Sequence, residues 1–246
     1  MVVAALRGAL GFLTRLPVGH DEGAWEAFRT APAAFPVTGY VIGALVALPV
    51  VAPVPAPVAA FGFLAAVYLV TGVNHVDGLA DLGDAAAVHG AGARRDAMKD
   101  TTTGVGALAA VGLMLAGLAL AGLALAGRPP LQAFAVVVAA EVGAKLGMAV
   151  LASFGHPAHE GMGAQLARNA PTDALPAVVL ALPVALLSFP TLVGATTLTV
   201  AVLASLAVGL WAQRWLGGVS GDVFGAANEL ARVAALHAGV VAWTLS

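Results

Sequence analysis

The sequence predicts an all-α fold: a polytopic transmembrane helix bundle of about seven spans with the N-terminus cytoplasmic. Three observations predict it. The 246 residues are 60% hydrophobic and only 10% charged, against roughly 25% charged residues in a soluble domain. Mean hydropathy is +0.94. The apolar residues also fall in uninterrupted runs near the roughly 20 residues that a helix needs to cross about 30 Å of hydrocarbon. Because the runs are continuous rather than alternating, they specify helices and not a β-barrel.

Taken in order, "MVVAALRGALGFLTRLPVG" carries Arg7 in its apolar part and lacks a small-residue cleavage site. It reads as a short interfacial helix, not a removed signal peptide, and residues 1–34 form a cytoplasmic or interfacial segment. The expected spans are 35–51, 57–74, 104–127, 130–154, 174–190, 191–212 and 223–246. Those at 104–127 and 191–212 hold no charge, whereas 35–51, 57–74 and 174–190 lie near the short limit. Gly39 and Gly43 have the GxxxG spacing that suits close helix packing. With no long linker, charge run or sequence repeat, residues 1–246 read as a single integral-membrane domain.

Composition also excludes classes. The absence of cysteine removes disulfides, thiolate catalysis and Cys-ligated zinc. A net charge of −2 with no basic stripe argues against nucleic acid as a partner. No Walker A loop, GxGxxG or GxSxG is present, so nucleotide hydrolysis, dinucleotide redox chemistry and α/β-hydrolase chemistry lack support.

Charge is one-sided with respect to the runs. Arg7, Arg15, Arg29, Arg94, Arg95, Lys99, Arg168 and Arg214 fall on one side and Arg128 on the other. By the positive-inside rule the crowded side is cytoplasmic. Most acids share that side, which places any active site at the cytoplasmic face of the cell membrane.

The acids are grouped. In "HVDGLADLGD" (75–84), Asp77, Asp81 and Asp84 stand at i, i+4 and i+7 and share one helical face if the second span continues past Asn74. Stacked carboxylates repel unless a cation sits among them, and Mg²⁺ takes such oxygen ligands together with substrate phosphate. A solvated helix end is the bland alternative; the position against the membrane favours the metal. "RRDAMKDTTTG" (94–104) sets Arg94, Arg95 and Lys99 beside Asp100 at the start of a span. It reads as a phosphate seat or, equally, as a positive-inside anchor. "GGVSGDVFGAANE" (217–229) brings Asp222, Asn228 and Glu229 into the last span, Asp222 and Glu229 on one face; a turn followed by a Glu229–Arg232 pair is its plain reading. Glu141 and Lys145 are spaced to pair inside a span. His156, His159 and Glu160 read as a polar loop, and no role is expected of His20, His89 or His237.

Several of these segments together resemble one family, the cobalamin synthases or adenosylcobinamide-GDP ribazoletransferases. "FLTRLPV" (12–18), "FPVTGYVIGAL" (35–45), "HVDGLADLGDA" (75–85), "MKDTTTGVG" (98–106) and "GGVSGDVFGAANE" (217–229) occur in the family's order and approximate spacing. The resemblance implies a late step of cobalamin biosynthesis. A hydroxyl of α-ribazole, or of its 5′-phosphate, attacks the corrinoid-side phosphate of adenosylcobinamide-GDP and displaces GMP, with Mg²⁺ required.

Carried over by residue, the resemblance makes Asp77, Asp81 and Asp84 the metal ligands and Lys99, with Arg94 and Arg95, the phosphate contacts. Asp222 and Glu229 become candidates for catalysis, with His75, Asp100, Asn228 and Lys145 as further motif positions. It implies a corrinoid nucleotide and α-ribazole as substrates, and leaves room for a homo-oligomer or association with other corrinoid-pathway enzymes. Two departures stand out: Ala85 follows Asp84 where the family usually has glycine, and "HPAHEG" replaces an arginine-bearing loop. Competing readings are a CDP-alcohol-type phosphotransferase, whose aspartate spacing is not met, and an ion-coupled transporter using Glu141 and Lys145.

Overall fold

The computed structural model describes residues 2–19 and 21–246, so His20 lies outside the described residues. The helices follow in the order α1 (Val2–Leu13), α2 (Glu22–Arg29), α3 (Ala34–Val46), α4 (Leu48–Val51), α5 (Ala56–Thr71), α6 (Asn74–Ala87), α7 (Ala91–Ala97), α8 (Val105–Ala126), α9 (Pro130–Phe154), α10 (Met162–Leu166), α11 (Ala174–Ala181), α12 (Val193–Trp215) and α13 (Gly221–Thr244). Short 3-10 stretches flank α11 at Pro171–Asp173 and Leu182–Ser188. Among the described residues the β-type pairing is one isolated bridge, Pro157 to Val219. The protein is thus all-α, as its apolar runs require.

By length and apolar content four segments are able to cross a membrane: Val105–Ala126, Pro130–Phe154, Pro171–Ser188 and Val193–Trp215. A fifth is added if α5 and α6 count as one broken span. The other expected spans are helical but differ from that standard. The 35–51 run is divided between α3 and the short α4. Helix α13 has 24 residues, long enough to cross, but Asp222, Asn228, Glu229 and Arg232 dilute its apolar character.

One expectation is corrected here. The second run does not continue past Asn74, because α5 and α6 meet at a 100° bend. Gly72 closes α5 at φ +72° and ψ −163°, a backbone conformation open to glycine and costly for other residues. Helix α6 then starts in a new direction, is not one of the four segments able to cross by themselves, and packs against α8 and α13, carrying all three aspartates on a helix of its own.

Helix α9 is the axis of the bundle. It is almost wholly buried and packs against α3, α12 and α13. A Cβ added at Gly39 or Gly43 would meet the Cα of Val142 or Val138 at 2.8 Å, so the GxxxG spacing of α3 brings two backbones into direct contact. In lipid, apolar side chains gain little by leaving hydrocarbon, and such close contacts together with buried polar pairs specify which helices associate.

At one end, α1 and α2 form a hairpin. Asp21 caps α2 by accepting from Gly23 N at 2.8 Å, and its carboxylate also meets Arg7 Nη1 at 3.3 Å. The rings of Phe12 and Trp25 approach to 5.1 Å, and Phe28 and Phe35 to 4.8 Å, which ties the hairpin to α3. Trp25 Nε1 donates to Gln165 Oε1 at 3.1 Å, reaching α10.

Candidate functional site

Helices α6 and α13 touch backbone to backbone. A Cβ on Gly78 would fall 2.5 Å from the Asp222 carbonyl oxygen, and one on Gly225 2.9 Å from the Cα of His75. No side chain larger than hydrogen fits either position without parting the helices. Through these contacts, segments separated by more than a hundred residues set His75 and Asp77 beside Asp222.

Next to that seam opens a cavity of about 720 Å³. Its lining is mixed: polar at Arg7, Asp21, Asn74, His75, Asp77 and Asp222, and apolar or aromatic at Phe12, Trp25, Met148, Met162, Leu166 and Phe224. Its size and mixed lining suit an organic substrate larger than an ion.

The aspartates divide their tasks. Asp77 and Asp222 line the cavity. Asp81 is not on the cavity wall, and its carboxyl is raised to about 6 by burial first, then by the negative charges of Asp222, Asp77 and Asp84. Asp84 is engaged elsewhere: its two oxygens accept from Gly104 N at 2.8 Å and Ala107 N at 2.9 Å, which caps α8 and satisfies amides that have no partner within that helix. Asp222 accepts from Ser220 Oγ at 3.3 Å, and the same hydroxyl accepts from Val223 N at 3.3 Å, capping α13.

Asp77, Asp84 and Asp222 lie close enough to Asp81 for their charges to disfavour its own, and carboxylates so grouped offer the hard oxygens that a divalent cation takes. In that respect the residues fit Mg²⁺. Among the described residues no three of these side chains are already gathered into a ligand cage.

Behind the cavity lies a buried polar network joining α9, α13 and α6. Lys145 Nζ donates to Glu141 at 3.1 Å and to Asn228 Oδ1 at 2.7 Å. Asn228 Nδ2 donates to Glu229 Oε1 at 2.9 Å and lies 3.1 Å from His75 Nδ1. Arg232 donates to both Glu229 oxygens at 2.6 Å and to Glu141. The expected Glu141–Lys145 pair therefore exists within a larger set, and both oxygens of Glu229 are bound to Arg232 away from the cavity.

The basic residues also separate. Arg94 lies over the Trp215 ring at 4.3 Å and the Trp211 ring at 5.5 Å, and its Nε donates to Val88 O at 3.0 Å, which fastens α7 to α12. Arg95 and Lys99 are exposed and, with Arg94, are absent from the cavity wall. Asp100 accepts from the N–H and hydroxyl of Thr102 at 2.9 and 2.8 Å, contacts that hold its carboxyl below the usual range.

His156 and His159 stay in their loop. Ala158 N donates to Val219 O at 2.9 Å and Val219 N to His156 O at 2.8 Å, so the loop is a brace for the turn before α13. His237 reaches the Gly117 carbonyl at 3.0 Å.

Sequence reasoning passed over the hairpin wall: Arg7, Phe12 and Trp25. The signal present is Arg7 set between one and two turns before Phe12 in an otherwise apolar N-terminal stretch. The same pattern fits a membrane surface helix.

Residues 5–240 match the family model described as Cobalamin-5-phosphate synthase. Among curated relatives, a protein of Halorubrum lacusprofundi is 52% identical, covering 99% of this chain and 99% of the relative. One of Haloquadratum walsbyi is 47% identical over 100% of each. One of Archaeoglobus fulgidus is 33% identical over 99% of this chain and 100% of the relative. All three are named "Adenosylcobinamide-GDP ribazoletransferase". No solved structure matches. On a family match that runs nearly end to end, the chain belongs to the cobalamin-5-phosphate synthase family.

Proposed function

We propose that the protein is an adenosylcobinamide-GDP ribazoletransferase: it joins adenosylcobinamide-GDP to α-ribazole, or to its 5′-phosphate, and releases GMP. The observation that carries this reading is the seam of α6 and α13, which brings Asp77 and Asp222 to the wall of one cavity that aromatic side chains also line. Full-length relatives with that name support it.

Phosphoryl transfer depends on positioning and on neutralising charge. In the proposed site Asp77 and Asp81 would hold Mg²⁺, which when bound would offset negative charge on the phosphates. Asp222 accepts the proton of the attacking hydroxyl, since it lies on the cavity wall and Glu229 does not. Arg7 contributes the cationic group on that wall, while Arg95 and Lys99 meet phosphate only if α7 and the 98–104 loop approach.

The Lys/Arg asymmetry supports a site on the cytoplasmic side of the cell membrane. Association with a second copy, or with enzymes handling neighbouring corrinoids, belongs to the same proposal. The transporter alternative loses its footing, because Glu141 and Lys145 are held by buried partners.

The test is GMP release by purified, lipid-reconstituted protein given adenosylcobinamide-GDP and α-ribazole, with Mg²⁺ and then with EDTA. Release that requires the metal and matches cobalamin formation is expected. Folded protein that releases none under both conditions overturns the reading.

A further inference from the structure

His75 begins α6 with its side chain 12% exposed and lines the cavity between Asn74 and Asp77. Its Nδ1 is 3.1 Å from Asn228 Nδ2. Which way the Asn228 amide faces is decided by its other neighbours. Its Oδ1 lies 2.7 Å from the Lys145 ammonium and its Nδ2 2.9 Å from a Glu229 oxygen.

Exchanging the amide oxygen and nitrogen would set NH₂ against the ammonium and C=O against the carboxylate, a repulsion on both sides in a buried site. Asn228 is therefore the donor towards His75, and Nδ1 the acceptor. A neutral imidazole carries one N–H, so with a lone pair on Nδ1 the proton sits on Nε2. Nε2 has no hydrogen-bond partner among the described residues, and the side chain is not fully buried. His75 lines the cavity together with Asp77 and Asp222.

We propose that Asn228 locks His75 as the Nε2–H tautomer, and that this N–H donates to a phosphate oxygen of the substrate in the cavity. The lock removes two other roles. A general base and a metal ligand each need the Nε2 lone pair, which this tautomer lacks. His75 then lies next to the carboxylates without joining them, a neutral donor where a phosphate approaches acids that only accept. Asn228 is its positioning residue, and Lys145 and Glu229 in turn hold Asn228. The ligand in this inference rests on the phosphotransferase reading; the tautomer does not.

The test uses full-length protein in lipid nanodiscs with ¹⁵N-labelled histidine, the His75 signals identified by their loss in His75→Gln. The expected spectrum has a protonated Nε2 and an unprotonated, hydrogen-bonded Nδ1, retained when Mg²⁺ is added. A proton on Nδ1, or an Nε2 signal that loses its proton on Mg²⁺ addition, overturns the lock. Asn228→Leu is expected to give mixed tautomers; an unchanged spectrum in that variant also overturns it.

GMP is then titrated, with binding followed separately by calorimetry. A shift of the Nε2–H resonance on binding is expected, and binding without that shift overturns the donor role. No GMP binding at all overturns the phosphotransferase reading while the tautomer result stands. His75→Phe is expected to slow GMP release about 10²–10³-fold, as for loss of one preorganised donor; unimpaired release overturns the donor role.

Discussion

Arg232 of α13 and Glu141 of α9 meet across a helix interface in which their side chains are 0% and 1% exposed. With Lys145 and Glu229 they form a set of two acids and two bases, neutral as a whole and almost fully shielded. Such a set is weak evidence for added stability, but removing one member strands a charge.

Glu141→Gln and Lys145→Met each leave a buried charge without its partner, with an expected loss of about 3–5 kcal/mol. The double variant restores neutrality and is expected to lose less than either single change. Thermal unfolding in one detergent, followed for all four proteins, checks the non-additivity.

Asp84 and Asp77 should part in their effects. Asp84→Ala removes the cap of α8 and is expected to cost about 0.5–2 kcal/mol of stability. Asp77→Ala, on the cavity wall, is expected to abolish turnover with little change in unfolding temperature. Paired unfolding and activity measurements on the two variants separate a structural carboxylate from a functional one.

The pH behaviour of Asp81 has a definite sign. Its carboxyl is raised from 3.8 to about 6, so the unfolded chain ionises it at lower pH than the fold does. Stability from this group falls as pH rises through that window and stays low above it. In metal-free protein Asp81→Asn is therefore expected to raise the unfolding temperature at about pH 7.5 and change it little at about pH 4. Mg²⁺ is expected to protect the natural protein from heat more strongly above about pH 6 than below it. Unfolding scans across pH with and without Mg²⁺ read both effects.

Arg94→Ala releases α7 from the Trp211 and Trp215 rings. A cation–π contact of this kind is worth about 0.5–2 kcal/mol, so the expected result is faster tryptic cleavage at Arg95 with turnover largely retained. Cleavage rates matched to those of the natural protein would contradict the assignment.

The apolar runs made the helices legible because hydrocarbon solvent leaves a chain few ways to satisfy its backbone. Spacing alone also carried the Glu141–Lys145 pair and the Gly39–Gly43 contact. The bend at Gly72 was not legible, since "TGVNH" resembles any glycine within an apolar stretch until φ is known. Nor could spacing tell that Asp84 turns to α8 while Asp77 faces a cavity, because both lie on the same helical face and differ only in what packs above them. The hairpin wall depends on contacts from Phe12 to Trp25 and onward to Gln165, which no local pattern encodes. Glu229 and Arg94 resembled reactive groups for a similar reason: a charge at a membrane helix looks alike whether its partner is substrate or a buried neighbour.

The central claim is that phosphate transfer takes place at the seam of α6 and α13, with Asp222 as the proton acceptor. Its most direct measurement is the rate of GMP release, with matching cobalamin formation, by reconstituted natural protein and by Asp222→Asn of equal unfolding temperature. The account predicts Mg²⁺-dependent release by the natural protein and a fall of about 10²–10⁴-fold in the variant. Equal rates in the two proteins would contradict it.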